Sequence, residues 1–241
     1  MAMRKKISQP QNMKYKIVLF LSLFICIPSF CQKKYFFDYM MEYDFKYTDT
    51  SKVSKAYILT NSKDNSYTLT MHEKDSLNFK LYFSDLNGIL SRTTLDKGSF
   101  FKAESITLNC GIVSGYYNPF KGQTKKYNFI NKPDTLIDGE YYPHYILKWN
   151  NPKRERRKKF GTAHFIIEKN TSFHLPLLDY PTAYEEWKLE RNIPNGIPKE
   201  MFMEEYLKKK YSRSYKLKQF AKINKYVIIP AECDYANIKN K

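Results

Sequence analysis

The chain has 241 residues, of which 42% are apolar, and its 41 Lys and Arg against 24 Asp and Glu give a formal charge of +17. This apolar content is enough for a packed core and excludes a chain that is disordered throughout, and the length suits one all-β domain. With only 8 Gly and 11 Pro, collagen-like and low-complexity architectures are excluded as well.

The first 31 residues have the parts of a secretory signal peptide. Basic residues without any acidic one precede an uncharged apolar run at 17–27, which is shorter than the roughly 20 residues that a membrane span needs. Ser29 and Cys31 are the small residues that a cleavage site requires, so cleavage is predicted between Cys31 and Gln32. Met13 is an alternative start, which would make residues 1–12 an upstream mis-start. We therefore expect an exported protein, periplasmic or secreted and associated with the cell envelope.

The four cysteines have different expected fates. Cys31 is not expected to carry a lipid, because Phe30 and Pro28 depart from the lipoprotein motif around such a cysteine. Cys110 and Cys233 remain after cleavage, and an oxidising compartment would let them form a disulfide. Two buried free thiols are the alternative, since two cysteines give no diagnostic spacing.

The mature chain begins with strand-like alternation. Residues 37–47 have an apolar or aromatic side chain at every odd position, which is typical of a half-buried strand. The same alternation recurs at 66–72 and 77–84, with turn residues between the runs, and Asn87-Gly88 is the strongest hairpin signal. Such spacing predicts an up-and-down antiparallel meander. Further strands are predicted at 127–130, 141–149, 162–168 and 226–229, with a hairpin at 134–139.

After residue 180 the periodicity changes. Residues 181–189 are predicted to form a short helix, and a second helix is predicted to start at Pro198, because proline suits the first helical turn and acidic residues precede basic ones there. The predicted fold class is mainly β (α+β): a single antiparallel, curved meander sheet or half-barrel with two short C-terminal helices packed on it. Residues 32–241 are expected to form one exported domain.

Two basic runs account for much of the charge. Residues 153–159 are predicted at a hairpin tip, and residues 208–218 at the exposed end of the second helix, where solvated charges cost little. Peripheral contact with an anionic surface is one use for such runs. No nucleic-acid-binding module accompanies them, so a specific nucleic-acid partner is not expected.

His144 and His164 are the weak candidates for a metal site. If the hairpin around the first basic run is centred on Arg154, the two histidines lie directly opposite each other, on the face that also carries Lys148 and Glu168. Opposed side chains lie about 5 Å apart at Cβ, which is close enough to share a metal. No third ligand is evident and Lys148 would repel a cation, so ordinary surface histidines, without a bound metal, are the favoured interpretation.

The sequence contains no recognised catalytic motif. A nucleophile elbow, a His-Glu-x-x-His pair and a phosphate-binding loop are all absent. We therefore predict a non-enzymatic protein without a cofactor. The alternative from another class is an extracellular hydrolase or metal-dependent enzyme that uses His144 and His164.

Aromatic residues are unusually frequent, with 21 Tyr and 17 Phe. An apolar sheet face rich in these residues can pack as an ordinary core, or it can curve around a cavity and hold an apolar or amphipathic ligand. The predicted ligand-binding face consists of Tyr39, Tyr43, Phe45, Tyr67, Phe79, Leu81 and Phe83.

In the order of its parts, with a leader, an aromatic-faced meander and late short helices, the chain resembles exported half-barrel proteins of the LolA/LolB-like kind and the GLPGLI-type secreted families. The nearest match to the GLPGLI signature is Leu175-Pro176-Leu177-Leu178, which is not the signature itself. The resemblance implies an envelope protein that binds or carries a lipid or another envelope component. A structural or interaction protein with a packed core and no ligand is the alternative.

Overall fold

The computed structural model describes residues 32–116, 118, 121–207, 211–233 and 235. The predicted signal peptide, Cys31 at its cleavage site and the basic residues 208–210 lie outside the described residues. Within the described residues, no helix is both long enough and apolar enough to cross a membrane.

The described residues form twelve strands in one open, curved sheet. Their order across the sheet is β7-β5-β4-β3-β2-β1-β12-β11-β10-β9-β8, and β6 pairs with β12 in parallel while the other neighbouring strands are antiparallel. This architecture confirms the predicted mainly-β, curved meander. The strands are β1 (Lys33–Thr48), β2 (Ser54–Asn61), β3 (Asp64–Glu73), β4 (Asn78–Asp85), β5 (Ile89–Asp96), β6 (Ser105–Thr107), β7 (Val113–Gly115), β8 (Tyr127–Ile137), β9 (Glu140–Trp149), β10 (Thr162–Ile167), β11 (Pro198–Glu204) and β12 (Tyr211–Ile229).

Three short α-helices occur among the described residues: α1 (Lys97–Lys102), α2 (Pro152–Lys158) and α3 (Pro181–Glu190). Helix α3 confirms the helix predicted at 181–189, and it buries Ala183, Tyr184 and Trp187 against the sheet. Helix α2 contains most of the first basic run. It lies between β9 and β10, where the sequence predicted a hairpin tip, and the side chain of Asn151 caps it by accepting from the Arg154 amide.

The prediction of a second helix that starts at Pro198 is wrong. Residues Pro198–Glu204 form β11, which pairs with β10 on one edge and with β12 on the other. Glu200 forms an ion pair with Lys216 of β12 at 3.3 Å, a partner on the adjacent strand. Favourable charge pairs along a helix contribute only about 0.2–0.5 kcal/mol each. Backbone hydrogen bonds on both edges and the burial of Met201 outweigh them.

The structure predicted for the second basic run is also wrong. Its described part, from Tyr211 onward, begins β12 and is not the end of a helix. The strand predicted at 226–229 is the last part of this 19-residue strand, which pairs with β1 along nearly all of the length of β1. Strand β12 thus joins the two halves of the sheet.

Strand β2 contributes to two hydrophobic cores. Ala56 and Ile58 of β2 belong to a first core with residues of β1, β8–β11 and α3, whereas Leu59 of β2 belongs to a second core with residues of β3–β5 and α1. Side chains alternate between faces along a strand, so the two cores lie on opposite faces of β2. Helix α3 packs in the first core, and Phe100 of α1 packs in the second. Strand β1 reaches both cores from a single face, since Phe37 of the second core and Met41 of the first are both at odd positions.

A disulfide joins Cys110 and Cys233, whose Cα atoms lie 5.1 Å apart. Cys110 follows β6 and Cys233 follows β12, so the bond ties together two segments that β6 and β12 already bring side by side. Cys233 is fully buried in the second core.

Candidate ligand cleft and histidine pair

The seven residues of the predicted ligand-binding face do not share one surface. Tyr43 is buried in the first core with Phe45 packed against it, while Tyr67, Phe79, Leu81 and Phe83 are buried in the second core. Tyr39 packs in a separate aromatic group with Phe173, His174 and Phe220. Their role in ligand binding stays a prediction.

The first core is filled where the sheet curves over it. Between Phe165, Met201 and Tyr215 there is a void of about 10 Å³, which has room for at most about one water molecule. The ring of Tyr43 lies against that of Tyr215, with centroids 5.8 Å apart, and its hydroxyl donates to the Pro198 carbonyl oxygen at 2.9 Å. A ligand could enter this region only if these side chains moved.

A strained residue lies at the rim of the first core. Met201 pairs with Tyr215 and Met203 with Ser212, so Arg213 and Ser214 together oppose a single residue in a β-bulge. Arg213 has a φ of 49°, a left-handed conformation that favours glycine. Its guanidinium donates to the hydroxyls of Tyr180 and Tyr47. These bonds to two other parts of the chain hold the strained conformation in place.

Asp179, near Arg213, is expected to make stability depend on pH. Asp179 is exposed as a residue, but it also lines the small void beside Tyr215, and desolvation there raises the pKa of its carboxyl from 3.8 to about 6, partly opposed by a backbone hydrogen bond and by Arg213. A raised folded-state pKa means that ionisation costs folding free energy. We therefore expect stability to fall as pH rises from about 4 to about 6, and Asp179→Asn to remove this part of the pH dependence.

The measurement is urea unfolding of the wild type and of Asp179→Asn at pH values below and above this range. The variant should be the more stable protein above pH 6 and should lose its advantage at low pH. A variant that is less stable than the wild type above pH 6 would mean that attraction between Asp179 and Arg213 outweighs the desolvation of the carboxylate.

A row of rings crosses the outer face, which we define as the face of β9–β11 opposite the first core. His144 of β9 lies edge to edge with His164 of β10, His164 stacks on Phe202 of β11, and Phe202 contacts Tyr211 of β12. The centroid separations are 5.3, 4.6 and 4.5 Å in that order. Four adjacent strands thus contribute one ring each, and a cleft lies on each side of the His164–Phe202 stack.

The larger cleft, which we call the aromatic cleft, has a volume of about 490 Å³. Its apolar lining includes Phe202, Tyr211 and Val53, and the last two are 52% and 54% exposed. Tyr215 and Ser214 also line it, together with charged groups of both signs: Asp44, Asp49, Glu200, Lys46 and Lys216. This volume is within the range of small-molecule sites, roughly 300–1,000 Å³. An apolar floor with charged groups around it suits a ligand that is itself amphipathic.

The histidines meet, but not in the predicted register. His164 pairs with Ile146, and Ile166 pairs with His144, so the register is shifted by two residues from the predicted one. A shift by an even number keeps every side chain on its face. The two rings therefore still touch as diagonal neighbours, with His144 Nε2 and His164 Nδ1 3.1 Å apart. Helix α2 in the connection is the reason why the turn is not centred on Arg154.

A chain of four polar side chains runs through the pair. Thr135 Oγ1 lies 3.0 Å from His144 Nδ1, and His164 Nε2 lies 3.2 Å from Glu204 Oε2. In one arrangement of protons, His164 Nε2 donates a hydrogen bond to the Glu204 carboxylate. His164 Nδ1 then accepts from His144 Nε2, and His144 Nδ1 accepts from the Thr135 hydroxyl. All four ring nitrogens then have a hydrogen-bond partner, with both imidazoles neutral.

Electrostatics favour these neutral imidazoles. Burial lowers the pKa of His144, and the neighbouring His164 and Lys132 lower it further. Burial also lowers the pKa of His164, and this effect is partly opposed by Glu204.

His164 and Glu204 line the second cleft, of about 310 Å³, together with Lys132, Lys148, Glu155, Thr162, Ile146 and Tyr206. Lys148 lies 3.6 Å from Glu155, and Glu168 pairs with Lys199 at 3.2 Å.

Sequence reasoning found the two histidines and missed their partners. Thr135 and Glu204 come from β8 and β11, and Glu204 was assigned to a helix that does not exist. Phe202 and Tyr211 were missed for the same reason. The alternation of Met201 and Met203 with Phe202 and Glu204 was the available signal, but it is short and the helix signals masked it.

No family profile and no curated protein matches the chain. Among solved structures, it is similar to MucB over 77% of this chain and 53% of MucB, with 5% identity and a TM-score of 0.37. The chain thus spans about half the length of MucB. It is also similar to a putative outer membrane lipoprotein-sorting protein domain from Vibrio parahaemolyticus, over 86% of this chain and 91% of that one, with 8% identity and a TM-score of 0.28.

The second of these structures is named as a lipoprotein-sorting domain, the kind of protein to which the sequence predicted a weak resemblance. At these identities and TM-scores, neither likeness assigns a function to this chain.

Proposed function

We propose that this protein is an exported, non-enzymatic binding protein of the cell envelope that takes an amphipathic ligand in its aromatic cleft. The single observation that carries the proposal is that cleft: about 490 Å³ in volume, with Phe202, Tyr211 and Val53 as its apolar part and charged groups of both signs around them. Exposed apolar side chains that share a concave surface with polar groups are typical of ligand sites.

The packing of the predicted ligand-binding face supports an outer site rather than an inner one. Tyr43, Phe79, Leu81 and Phe83 are each at most 1% exposed, and their rings and methyl groups contact other core residues. Opening a cavity among these side chains would remove the van der Waals contacts between them. The aromatic cleft needs no such rearrangement.

The charges around the aromatic cleft suggest the kind of head group. Three carboxylates, from Asp44, Asp49 and Glu200, accompany two ammonium groups, from Lys46 and Lys216. Lys216 lies 3.3 Å from Glu200, and Asp44 lies 3.4 Å from Lys218, so the charges largely compensate one another. A zwitterionic or polar head group fits such a rim better than a strongly anionic one.

Export is supported by the leader and by the disulfide. The predicted signal peptide would deliver the chain to an oxidising compartment, where a bond such as Cys110–Cys233 persists. An envelope location also places the protein where amphipathic molecules are abundant.

The test is titration of the purified protein with a fluorescent lysophosphatidylcholine, alongside mass spectrometry of a solvent extract of the protein. Saturable binding is expected, and Tyr211→Ala should weaken it about tenfold, as the loss of about 1.4 kcal/mol of ring contact implies. Tyr141→Ala is the matched control, because Tyr141 is a similarly exposed strand tyrosine outside the aromatic cleft. It should bind as the wild type does.

Two outcomes would contradict the proposal. A protein that binds no probe and releases no lipid on extraction would be the structural or interaction protein with a packed core. Saturable binding that Tyr211→Ala and Val53→Ala leave unchanged would place the ligand elsewhere. The hydrolase or metal-dependent enzyme alternative stays a prediction.

A further inference from the structure

The two facing nitrogens of the histidine pair are separated by nearly the distance between two ligands of one metal ion. His144 Nε2 and His164 Nδ1 lie 3.1 Å apart on the outer face. Two nitrogens bound to one tetrahedral Zn²⁺ at about 2.0–2.1 Å are separated by roughly 3.3 Å. A shift of a few tenths of an ångström would bring the two nitrogens to this separation. Because they now share a hydrogen bond along the line that joins them, both rings would also have to rotate until their lone pairs converge on the ion.

The two outward-facing nitrogens are held by oxygen atoms. His164 Nε2 faces the Glu204 carboxylate at 3.2 Å, and His144 Nδ1 faces the Thr135 hydroxyl at 3.0 Å. A metal-binding histidine almost always has its second ring nitrogen bonded to a carboxylate, a carbonyl or water, which fixes the ring and its tautomer. The carboxylate of Glu204 is such a partner, and Thr135 offers an equivalent oxygen on the other ring.

We propose that His144 and His164 together bind a divalent transition-metal ion such as Zn²⁺, with Glu204 and Thr135 as the groups that orient the two rings. Imidazole pairs suit Zn²⁺, Ni²⁺ and Cu²⁺. This site is separate from the aromatic cleft, and it does not depend on the proposed ligand.

The proton balance of binding is simple. Without metal, His144 Nε2 donates its proton to His164 Nδ1. With metal, His144 takes the other tautomer, its Nδ1 proton points to the Thr135 oxygen, and both facing lone pairs bind the ion. His164 keeps its Nε2 proton on Glu204 throughout. No proton is gained or lost, and no oxidant or reductant is involved.

The surroundings set the expected strength of the site. His164 opens into the cleft of about 310 Å³, so water can fill the remaining coordination positions. Lys132 pairs with His144 across β8 and β9, and its ammonium repels a cation, whereas Glu204 and Glu155 line the same cleft and attract one. We therefore expect a two-histidine site of modest affinity that strengthens when Lys132 is removed.

The test is isothermal titration of the full chain with ZnCl₂, without reductant so that Cys110 and Cys233 remain bonded. The wild type is expected to bind a single ion at this site, and His144→Gln and His164→Gln should each weaken binding at least tenfold. Glu204→Gln should weaken it about tenfold, and Lys132→Ala should strengthen it. His72→Ala is the matched control, because His72 is a half-buried strand histidine away from the pair.

Glu204→Gln and Lys132→Ala are expected to change the Zn²⁺ affinity in opposite directions, whereas damage to the fold would weaken binding in both. Comparing the two variants therefore separates an effect on the metal from an effect on folding. Circular dichroism on each variant identifies any that do not fold.

Cys26 and Cys31 also belong to the full chain, and cysteine thiols bind Zn²⁺ as well. The histidine site is therefore assigned by the difference in binding between the wild type and the histidine variants. Two folded histidine variants that bind Zn²⁺ as tightly as the wild type would overturn the proposal, and so would a wild type that binds none.

Discussion

Replacing Cys110 and Cys233 together with alanine is expected to lower the free energy of unfolding by about 4–5 kcal/mol. The bond closes a loop between residues that are 123 positions apart. A cross-link over such a long loop removes much conformational freedom from the unfolded chain, and this is the main source of the effect in the chain-entropy account. Denaturant unfolding of the wild type and the double variant measures it.

The wild type in the presence of a reductant is the matched control. Cys233 is fully buried, so its replacement also removes packing. Reduction breaks the bond and keeps both sulfur atoms in place. We expect reduction to account for most of the loss. If the reduced wild type were as stable as the oxidised one, pairing of β6 with β12 would suffice to hold these segments together.

Replacing Phe83 with alanine is expected to cost about 3–5 kcal/mol of folding free energy. Phe83 is 1% exposed in the second core, and the centroid of its ring lies 4.7 Å from the centroid of the Tyr35 ring. Truncation removes the buried ring and leaves a cavity that its strand neighbours cannot close. Urea unfolding gives the change in stability, and the same titration with fluorescent lysophosphatidylcholine gives the change in binding.

Leu77→Ala is the control for Phe83→Ala. Leu77 lies next to β4 and is 68% exposed, so its truncation should change stability by no more than about 0.5 kcal/mol. A Phe83→Ala variant that keeps its stability and loses binding of the probe would mean that Phe83 lines a ligand cavity. That result would restore the predicted apolar face as the binding site.

Several elements follow from local sequence. Alternation over residues 37–47 predicted a half-buried strand, and these residues lie in β1. The change of period after residue 180 predicted α3. The presence of His144 and His164 on adjacent strands also followed, because runs separated by a short connection pair with each other. Each of these features depends on a period or a spacing that a few neighbouring residues carry.

The candidate site required more than local sequence. The 310 Å³ cleft unites Glu204 of β11 with residues of β8, β9 and β10, and the aromatic cleft unites β1, β11 and β12. Such groupings depend on which strands pair. Nothing near Glu204 in the sequence indicates that its neighbour in space is His164, forty positions away.

The sequence by itself determined that most of the described residues form strands, that β1 is half-buried and that a helix follows residue 180. Only the tertiary structure decided that Pro198–Glu204 is a strand, that the register of β9 and β10 is shifted by two residues, and that β2 is buried on both faces. Side-chain periodicity is a property of neighbouring residues, whereas pairing, register and burial depend on hydrogen bonds and contacts between residues far apart in the chain, which can outweigh local preference by several kcal/mol in total.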